Sequence, residues 1–118
     1  MPPGFLQFDN GGFAYINPAM FHDGFAQDVN PTETDVLATV QKPISQSILA
    51  EKSGPSTWKQ LPTWYQVSED DRIIPPDLQR NFAEKMGATT LSLNASHASL
   101  VPQPNEVANL ILNATKGK

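Results

Sequence analysis

The sequence has 118 residues, the length of one ordinary domain, which excludes a two-domain arrangement. Eight Lys and Arg stand against twelve Asp and Glu, and the net charge of −4 without a basic cluster argues against a nucleic-acid partner. Without cysteine, and with two histidines far apart, the chain has no metal-ligand pattern, so we expect no metal and no other cofactor. Its start has neither a positively charged segment nor an unbroken apolar stretch. We therefore expect no membrane partner and a cytoplasmic location.

Residues 1–57 contain short elements and no long strand. Two strand-forming runs, 5–8 and 13–16, flank a turn of Asp, Asn and two Gly, which predicts a β-hairpin. The polar and apolar residues of 18–29 predict a helix with weak amphipathic character.

A second helix is predicted behind Asn30, which is a suitable N-cap, with Pro31 at its first position and Pro43 beyond its end. The apolar residues that we expect on its inner side are Val36, Leu37 and Val40. One more short helix is predicted over 44–52. These small elements favour a decorating subdomain over a core.

Residues 58–118 have a clearer pattern. The aromatic and β-branched run 63–67 predicts a strand, and a helix follows from the Pro75-Pro76 pair to Gly87. The expected inner face of this helix consists of Leu78, Phe82 and Met86. The alternating run 89–93 predicts a second strand, and Pro104 begins the last helix. Its expected inner residues are Val107, Leu110, Ile111 and Ala114.

The order β-α-β-α predicts two parallel strands joined by a right-handed helical crossover, and therefore the α/β class. Two parallel strands alone bury too little apolar surface to be stable, because such a sheet must be covered on both faces. We therefore expect that they form the edge of a larger sheet whose other strands are not in this sequence.

Polar residues follow both predicted strands. The segment 68–72 contains three carboxylates after the first strand, and His97 lies in the loop after the second. Because functional residues cluster at the carboxyl ends of parallel strands, a carboxylate and His97 are expected to meet and to act as acid and base. The same residues would also suit a solvated loop at a helix N-terminus and a surface histidine. His22 has no evident partner, and we expect a solvated side chain.

Four segments resemble the C-terminal half of bacterial α/β-hydrolase-fold serine esterases: WKQLPTWY (58–65), EDDRIIPPDLQ (69–79), AEKMGA (83–88) and SH (96–97). The most similar branch contains salicylate-ester and pyrethroid-type esterases and is related to plant methyl esterases and hydroxynitrile lyases.

The resemblance implies that 1–57 is the cap that covers the active site and that 58–118 is the C-terminal β-α-β-α part of the core. Asp71 matches the acid of the family's catalytic triad, with the adjacent Asp70 as the alternative, and His97 matches the base. The lyase branch has Lys directly after the histidine. Ala98 stands there in this sequence, which favours ester hydrolysis.

The sequence departs from the family at the nucleophile. The family's serine lies on a Gly-x-Ser-x-Gly turn, and this sequence contains no such motif. No serine before or beside the acid has the required glycines: Ser45, Ser47, Ser53, Ser56 and Ser68. The family's oxyanion loop is also missing, so we expect the chain alone to be inactive.

The first hypothesis is therefore a partial carboxylic-ester hydrolase that acts when joined to its missing half. Its substrate would be a small-molecule ester, and an apolar pocket would be formed by residues of the cap and of the histidine loop: Phe13, Tyr15, Met20, Phe21, Phe25, Leu100 and Val101. The alternatives are a non-catalytic remnant that binds partners, including a second copy, through its exposed apolar sheet face, and a small independent domain.

Overall fold

A computed structural model describes residues 1–116. The last two residues of the predicted second region, 117–118, lie outside the described residues. The elements are β1 (Leu6–Phe8), β2 (Phe13–Ile16), α1 (Pro18–Phe25), α2 (Pro31–Val40), β3 (Ile44–Ser45), β4 (Trp64–Ser68), α3 (Pro76–Met86), β5 (Thr89–Leu93) and α4 (Pro104–Lys116). Two 3₁₀ turns, Gln46–Leu49 and Thr57–Lys59, lie between β3 and β4.

The predicted hairpin is present as the antiparallel pair β1 and β2. Asp9 stabilises its turn, because one carboxylate oxygen accepts the backbone N–H of Gly11 at 2.8 Å and of Phe13 at 2.9 Å. Of the short helix predicted over 44–52, only a 3₁₀ turn at Gln46–Leu49 forms. Ile44–Ser45 pairs with β2 as a third antiparallel strand, and the N–H of Gln46 donates to Gly12 O at 2.8 Å. Residues 44–45 are therefore extended along the hairpin, and the helical turn begins only after them.

Both helices of the first region begin as the sequence predicts. The side chains of Asn17 and Asn30 accept backbone N–H groups in the first turns of α1 and α2, and proline follows each cap. Helix α1 ends at Phe25 instead of reaching residue 29, because the backbone leaves the helical conformation at Ala26.

The inner face predicted for α2 is correct at Leu37, which packs against the core cluster, and wrong at Val36 and Val40. Val36 and Val40 are more than half exposed, whereas Thr34 and Ala38 are buried. Helix α2 packs against α1, and the His22 ring approaches the Thr34 hydroxyl at 3.2 Å, so the small residues turn inward where the two helices meet.

The second region contains the predicted parallel pair. Strands β4 and β5 are in register from Trp64 opposite Thr89 to Ser68 opposite Leu93. Helices α3 and α4 cover opposite faces, because Tyr65 shares a surface depression with α3 residues and its neighbour Trp64 shares one with α4 residues. Gly87 ends α3 in the left-handed conformation with φ of 61°, as the sequence predicts.

The apolar faces predicted for α3 and α4 are only partly buried among the described residues: Met86, Val107, Leu110 and Ala114 are half-buried, and the others are exposed. Leu78 and Phe82 of α3 are about two-fifths exposed, and the buried residues of that helix are Gln79 and Ala83. Helix α4 buries no residue, and Ile111 is more than half exposed. The reason is geometric: a sheet of two strands is too narrow to cover the inner faces of two helices.

Candidate active site

The two loops singled out from the sequence meet at the carboxyl ends of β4 and β5. Backbone bonds continue the pairing beyond the strands, from Glu69 N to Leu93 O at 2.9 Å and from Asp70 N to Ala95 O at 3.1 Å. These bonds bring the side chains of Asp71 and His97 together, with 2.8 Å between Asp71 Oδ2 and His97 Nδ1.

The carboxylate of Asp71 is buried and surrounded by donors. Its side chain is 3% exposed. Oδ1 accepts the backbone N–H groups of Ile73 at 2.7 Å and Ile74 at 3.0 Å, while Oδ2 accepts the amide of Gln79 at 2.8 Å in addition to the histidine. Because a carboxylate can only accept, His97 Nδ1 is the donor in this pair.

This hydrogen bond fixes the tautomer of the neutral histidine. The proton is on Nδ1, so Nε2 has a free lone pair, the arrangement that a general base needs. Among residues 1–116, no hydrogen bond to Nε2 is formed, and the side chain is 29% exposed. The ring packs against Phe25, with 5.0 Å between the centroids.

The end of α1 and the turn that follows it bind the histidine loop on either side of His97. Asp28 Oδ2 accepts the N–H of Ser96 at 2.7 Å, and Phe25 O accepts the N–H of Ala98 at 3.2 Å. Ser96 and Ala98 flank His97, so the first region helps to hold this loop, which is also bonded to residues of the second region.

The same segment also holds the loop of the acid. Gln27 donates to Asp70 O at 2.7 Å, and Arg72 donates to Asp23 O at 2.6 Å. Segment 23–28 therefore contacts both loops that carry the candidate pair.

The other candidates have different surroundings. Asp70 is exposed and contributes backbone groups to the loop, while the hydrogen bond of the histidine goes to Asp71. His22 belongs to α1, and its partly buried ring is hydrogen-bonded to Thr34 of α2, so the expectation of a solvated side chain without a partner is wrong. Ser68 is buried at the end of β4 and accepts the amide of Gln66. Within the described chain, no serine side chain is hydrogen-bonded to His97.

An apolar cavity of about 460 Å³ lies between the first region and the histidine loop. Five of the seven predicted pocket residues line it: Tyr15, Phe21, Phe25, Leu100 and Val101. The other two do not. Phe13 is 42% exposed, and Met20 lines a separate depression beside Arg72. Phe25 both lines the cavity and packs on His97, so the cavity is next to the candidate base.

Sequence reasoning missed Gln79, which donates to Asp71. No pattern in the sequence indicated it, because the apolar periodicity of α3 marks Leu78, Phe82 and Met86, and only the structure shows that Gln79 and Ala83 are buried. Burial raises the pKa of the Tyr65 hydroxyl, and the negative charge of Asp71 adds to this effect, so Tyr65 stays protonated at neutral pH.

Two further properties of the described residues concern partners. None of their helices combines the length and the apolar character that crossing a membrane requires. No group of three His, Cys, Asp or Glu side chains in the same part of the chain is arranged to hold a metal ion.

Comparison with known proteins identifies the fold. The chain is similar to the crystal structure of polyneuridine aldehyde esterase, with a TM-score of 0.75 and 18% sequence identity over 98% of this chain and 51% of that chain. It is also similar to a histidine-to-alanine mutant of that esterase, with a TM-score of 0.74 and 17% identity over 96% of this chain and 51% of the other. No protein-family model matches the sequence. No curated protein matches it either.

These similarities show an α/β-hydrolase fold with an incomplete sheet, as the sequence predicts. The chain spans about half the length of the solved structures that it matches.

Proposed function

We propose that this chain supplies the acid and the base of a serine esterase, Asp71 and His97, to a nucleophile and an oxyanion hole in the other half of the fold. The observation that carries the proposal is the contact of 2.8 Å between His97 Nδ1 and Asp71 Oδ2, formed by loops at the carboxyl ends of two parallel strands. The esterase named in the structural similarity supports the same class of reaction.

In the proposed reaction, the serine hydroxyl of the missing half attacks the ester carbonyl while His97 Nε2 takes its proton. Asp71 stabilises the resulting imidazolium through Nδ1. The imidazolium then gives the proton to the departing alcohol oxygen, which leaves an acyl-enzyme. Water attacks this ester with His97 again as the base, and the carboxylic acid and the free serine are released.

The substrate that we propose is a small ester with an apolar acyl or alcohol group. The cavity beside His97 supports this, because aromatic and aliphatic side chains dominate its lining. In this proposal residues 1–57 are the cap and 58–118 belong to the core. Helix α1 and its following turn would then cover the substrate and hold both catalytic loops.

The test is to join the 118 residues to the segment encoded directly before Met1 and to measure p-nitrophenyl ester turnover. We expect that segment to contain a Gly-x-Ser-x-Gly motif, and we expect turnover from the joined protein but not from the 118 residues alone. His97→Ala should abolish turnover, and Asp71→Asn should reduce it by about 10⁴-fold because the histidine loses its tautomer.

Matched variants separate the candidates. His22→Ala and Asp70→Asn remove the same side-chain types and should leave turnover within about twofold, because neither side chain bonds to the pair. A preceding segment without the motif, or a joined protein that retains its turnover after His97→Ala, would rule out the proposal.

A second candidate function is a non-catalytic interaction module. The observation that favours it is the exposure of large apolar side chains on α3 and α4. This candidate gains support if the 118 residues form a stable homo-oligomer and the joined protein shows no ester turnover.

A further inference from the structure

Gln79 is a buried glutamine with all of its hydrogen-bonding groups occupied. It lies in the first turn of α3 and is 4% exposed. The amide nitrogen donates to Asp71 Oδ2 at 2.8 Å and to Ile74 O at 2.8 Å, and the amide oxygen accepts the N–H of Ser68 at 3.0 Å. A primary amide has two N–H donors and one oxygen, so its orientation is determined completely.

The two carboxylate oxygens of Asp71 have different hydrogen-bond partners. Oδ1 is held by two backbone N–H groups of its own loop, those of Ile73 and Ile74. Oδ2 accepts from His97 and from Gln79. The role of Oδ2 is to orient His97, so a second partner is needed to hold this oxygen in place. Among the described residues, Gln79 is that partner.

The same glutamine joins the two elements on either side of the acid loop. Its oxygen bonds to the backbone at the end of β4, and its nitrogen bonds to Ile74 O just before α3. Gln79 itself belongs to α3, so its side chain connects Asp71 to this helix and to the end of β4.

We propose that Gln79 is a positioning residue that directs Asp71 Oδ2 towards His97 Nδ1. The inference rests on the proposed function, because it assigns Gln79 to the same acid and base. Loss of the amide donor would leave Oδ2 held by His97 alone, so the plane of the carboxylate could rotate about the two bonds to Oδ1.

The experiment compares three variants of the 118-residue chain. Gln79→Met removes the amide with little change in shape. Gln79→Glu keeps an oxygen for the Ser68 N–H but places no neutral donor against Asp71. Gln66→Met is the matched control, because Gln66 bonds to Ser68 and Ser99 at the same end of the sheet and not to Asp71.

The readout is the Nδ1–H proton of His97 in NMR spectra, since a role confined to packing would not change it once the variant is folded. We expect both Gln79 variants to speed exchange of this proton with water by at least about tenfold, while Gln66→Met leaves its exchange and chemical shift unchanged. Unchanged exchange in the folded Gln79 variants would overturn the proposal.

A measurement on the wild-type chain covers the case in which neither Gln79 variant folds. The side-chain amide protons of Gln79 should exchange at least about tenfold more slowly than those of an exposed glutamine and should show a nuclear Overhauser effect to the His97 Nδ1–H. Exchange at the rate of an exposed glutamine would contradict the proposal.

Kinetics of the joined protein separate this inference from the proposed function. We expect Gln79→Glu to lower kcat by about 10- to 100-fold with KM within about twofold, since a small displacement of a catalytic group has effects of this size. An active joined protein with an unchanged kcat in this variant would overturn the role of Gln79 alone. An inactive joined protein would overturn the proposed function, and the NMR result would still decide whether Gln79 positions Asp71.

Discussion

The two regions of the molecule bury apolar side chains to different extents. In residues 1–57, Phe5 and Phe21 are buried, and the main core cluster is formed there together with Ala98 of the histidine loop. In residues 58–116, the largest buried apolar side chains are Val67 and Leu93, while Phe82 and Ile111 are exposed on the two helices.

This difference shows that a region of short elements can still bury large aromatic side chains. Three short strands and two helices bury Phe5 and Phe21, and Phe21 packs against Phe25, while Ala98 of the histidine loop completes the cluster. The second region has longer helices, but each needs a wide sheet beneath it, and two strands do not provide one. The incomplete sheet therefore leaves the helices of the second region exposed.

The largest expected effect comes from the core of the first region. Phe5→Ala should destabilise the chain by about 3–5 kcal/mol, because Phe5 is 2% exposed and its ring fills the space in front of Gly24. Chemical denaturation provides the measurement. Phe8→Ala is the matched control: Phe8 is 51% exposed and should change stability by less than about 1 kcal/mol. Equal losses would show that the first region has no core of its own.

A smaller effect is expected at the contact between the regions. Asp28→Ala should cost about 1–2 kcal/mol, because the N–H of Ser96 loses its charged acceptor. Hydrogen exchange of the Ser96 amide should accelerate, and Asp28→Asn should restore part of the protection. Asp35→Ala, on the exposed face of α2, is the control. If the Ser96 amide exchanges at the wild-type rate in Asp28→Ala, the first region does not hold the histidine loop.

The second region should respond weakly as long as its sheet is incomplete. Phe82→Ala should cost about 1 kcal/mol in the 118-residue chain, because Phe82 is 42% exposed. In the joined protein the same substitution should cost at least about twice as much, since added strands would bury the ring. Equal costs in both proteins, measured by denaturation, would mean that the missing strands do not cover α3.

The smallest effect is expected from a surface ion pair of the second region. The hydrogen bond from Arg80, at 2.6 Å, lowers the pKa of Glu69. A carboxylate whose pKa is lowered on folding contributes stability above its unfolded pKa, and this contribution disappears as the pH falls through the folded pKa. Glu69→Gln should therefore reduce stability slightly at pH 7 and not at about pH 2. Glu84→Gln, on the exposed face of α3, is the matched control. A constant difference across this pH range would contradict the assignment.

Much of the fold was predictable because local signals mark it. The turn residues of the hairpin, the Asn-Pro pairs before α1 and α2, and Gly87 after α3 each act within a few residues. The order of the strands alone predicted that the loops with Asp71 and His97 lie side by side at one edge of the sheet. Whether these two residues are catalytic remains a prediction.

The predictions that were wrong depend on which part of the molecule packs against each element. The periodicity of apolar residues carries no information about that neighbour. Val36 and Val40 have the spacing of a core face, but Thr34 and Ala38 face the neighbouring helix. Strand β3 forms because Ile44 pairs with the free edge of β2 in the hairpin, a contact between distant parts of the sequence. Gln79 was missed because its partner is the carboxylate at Asp71, and a pattern of apolar residues does not indicate a polar contact.

The most direct test of the central claim is to find which serine reacts. The joined protein is treated with a fluorophosphonate, and the labelled peptide is identified by mass spectrometry, with His97→Ala as the control. We expect a single label on the serine of a Gly-x-Ser-x-Gly motif outside residues 1–118, and its loss in His97→Ala. A label on a serine within residues 1–118 would contradict the claim that this chain provides the acid and the base but not the nucleophile.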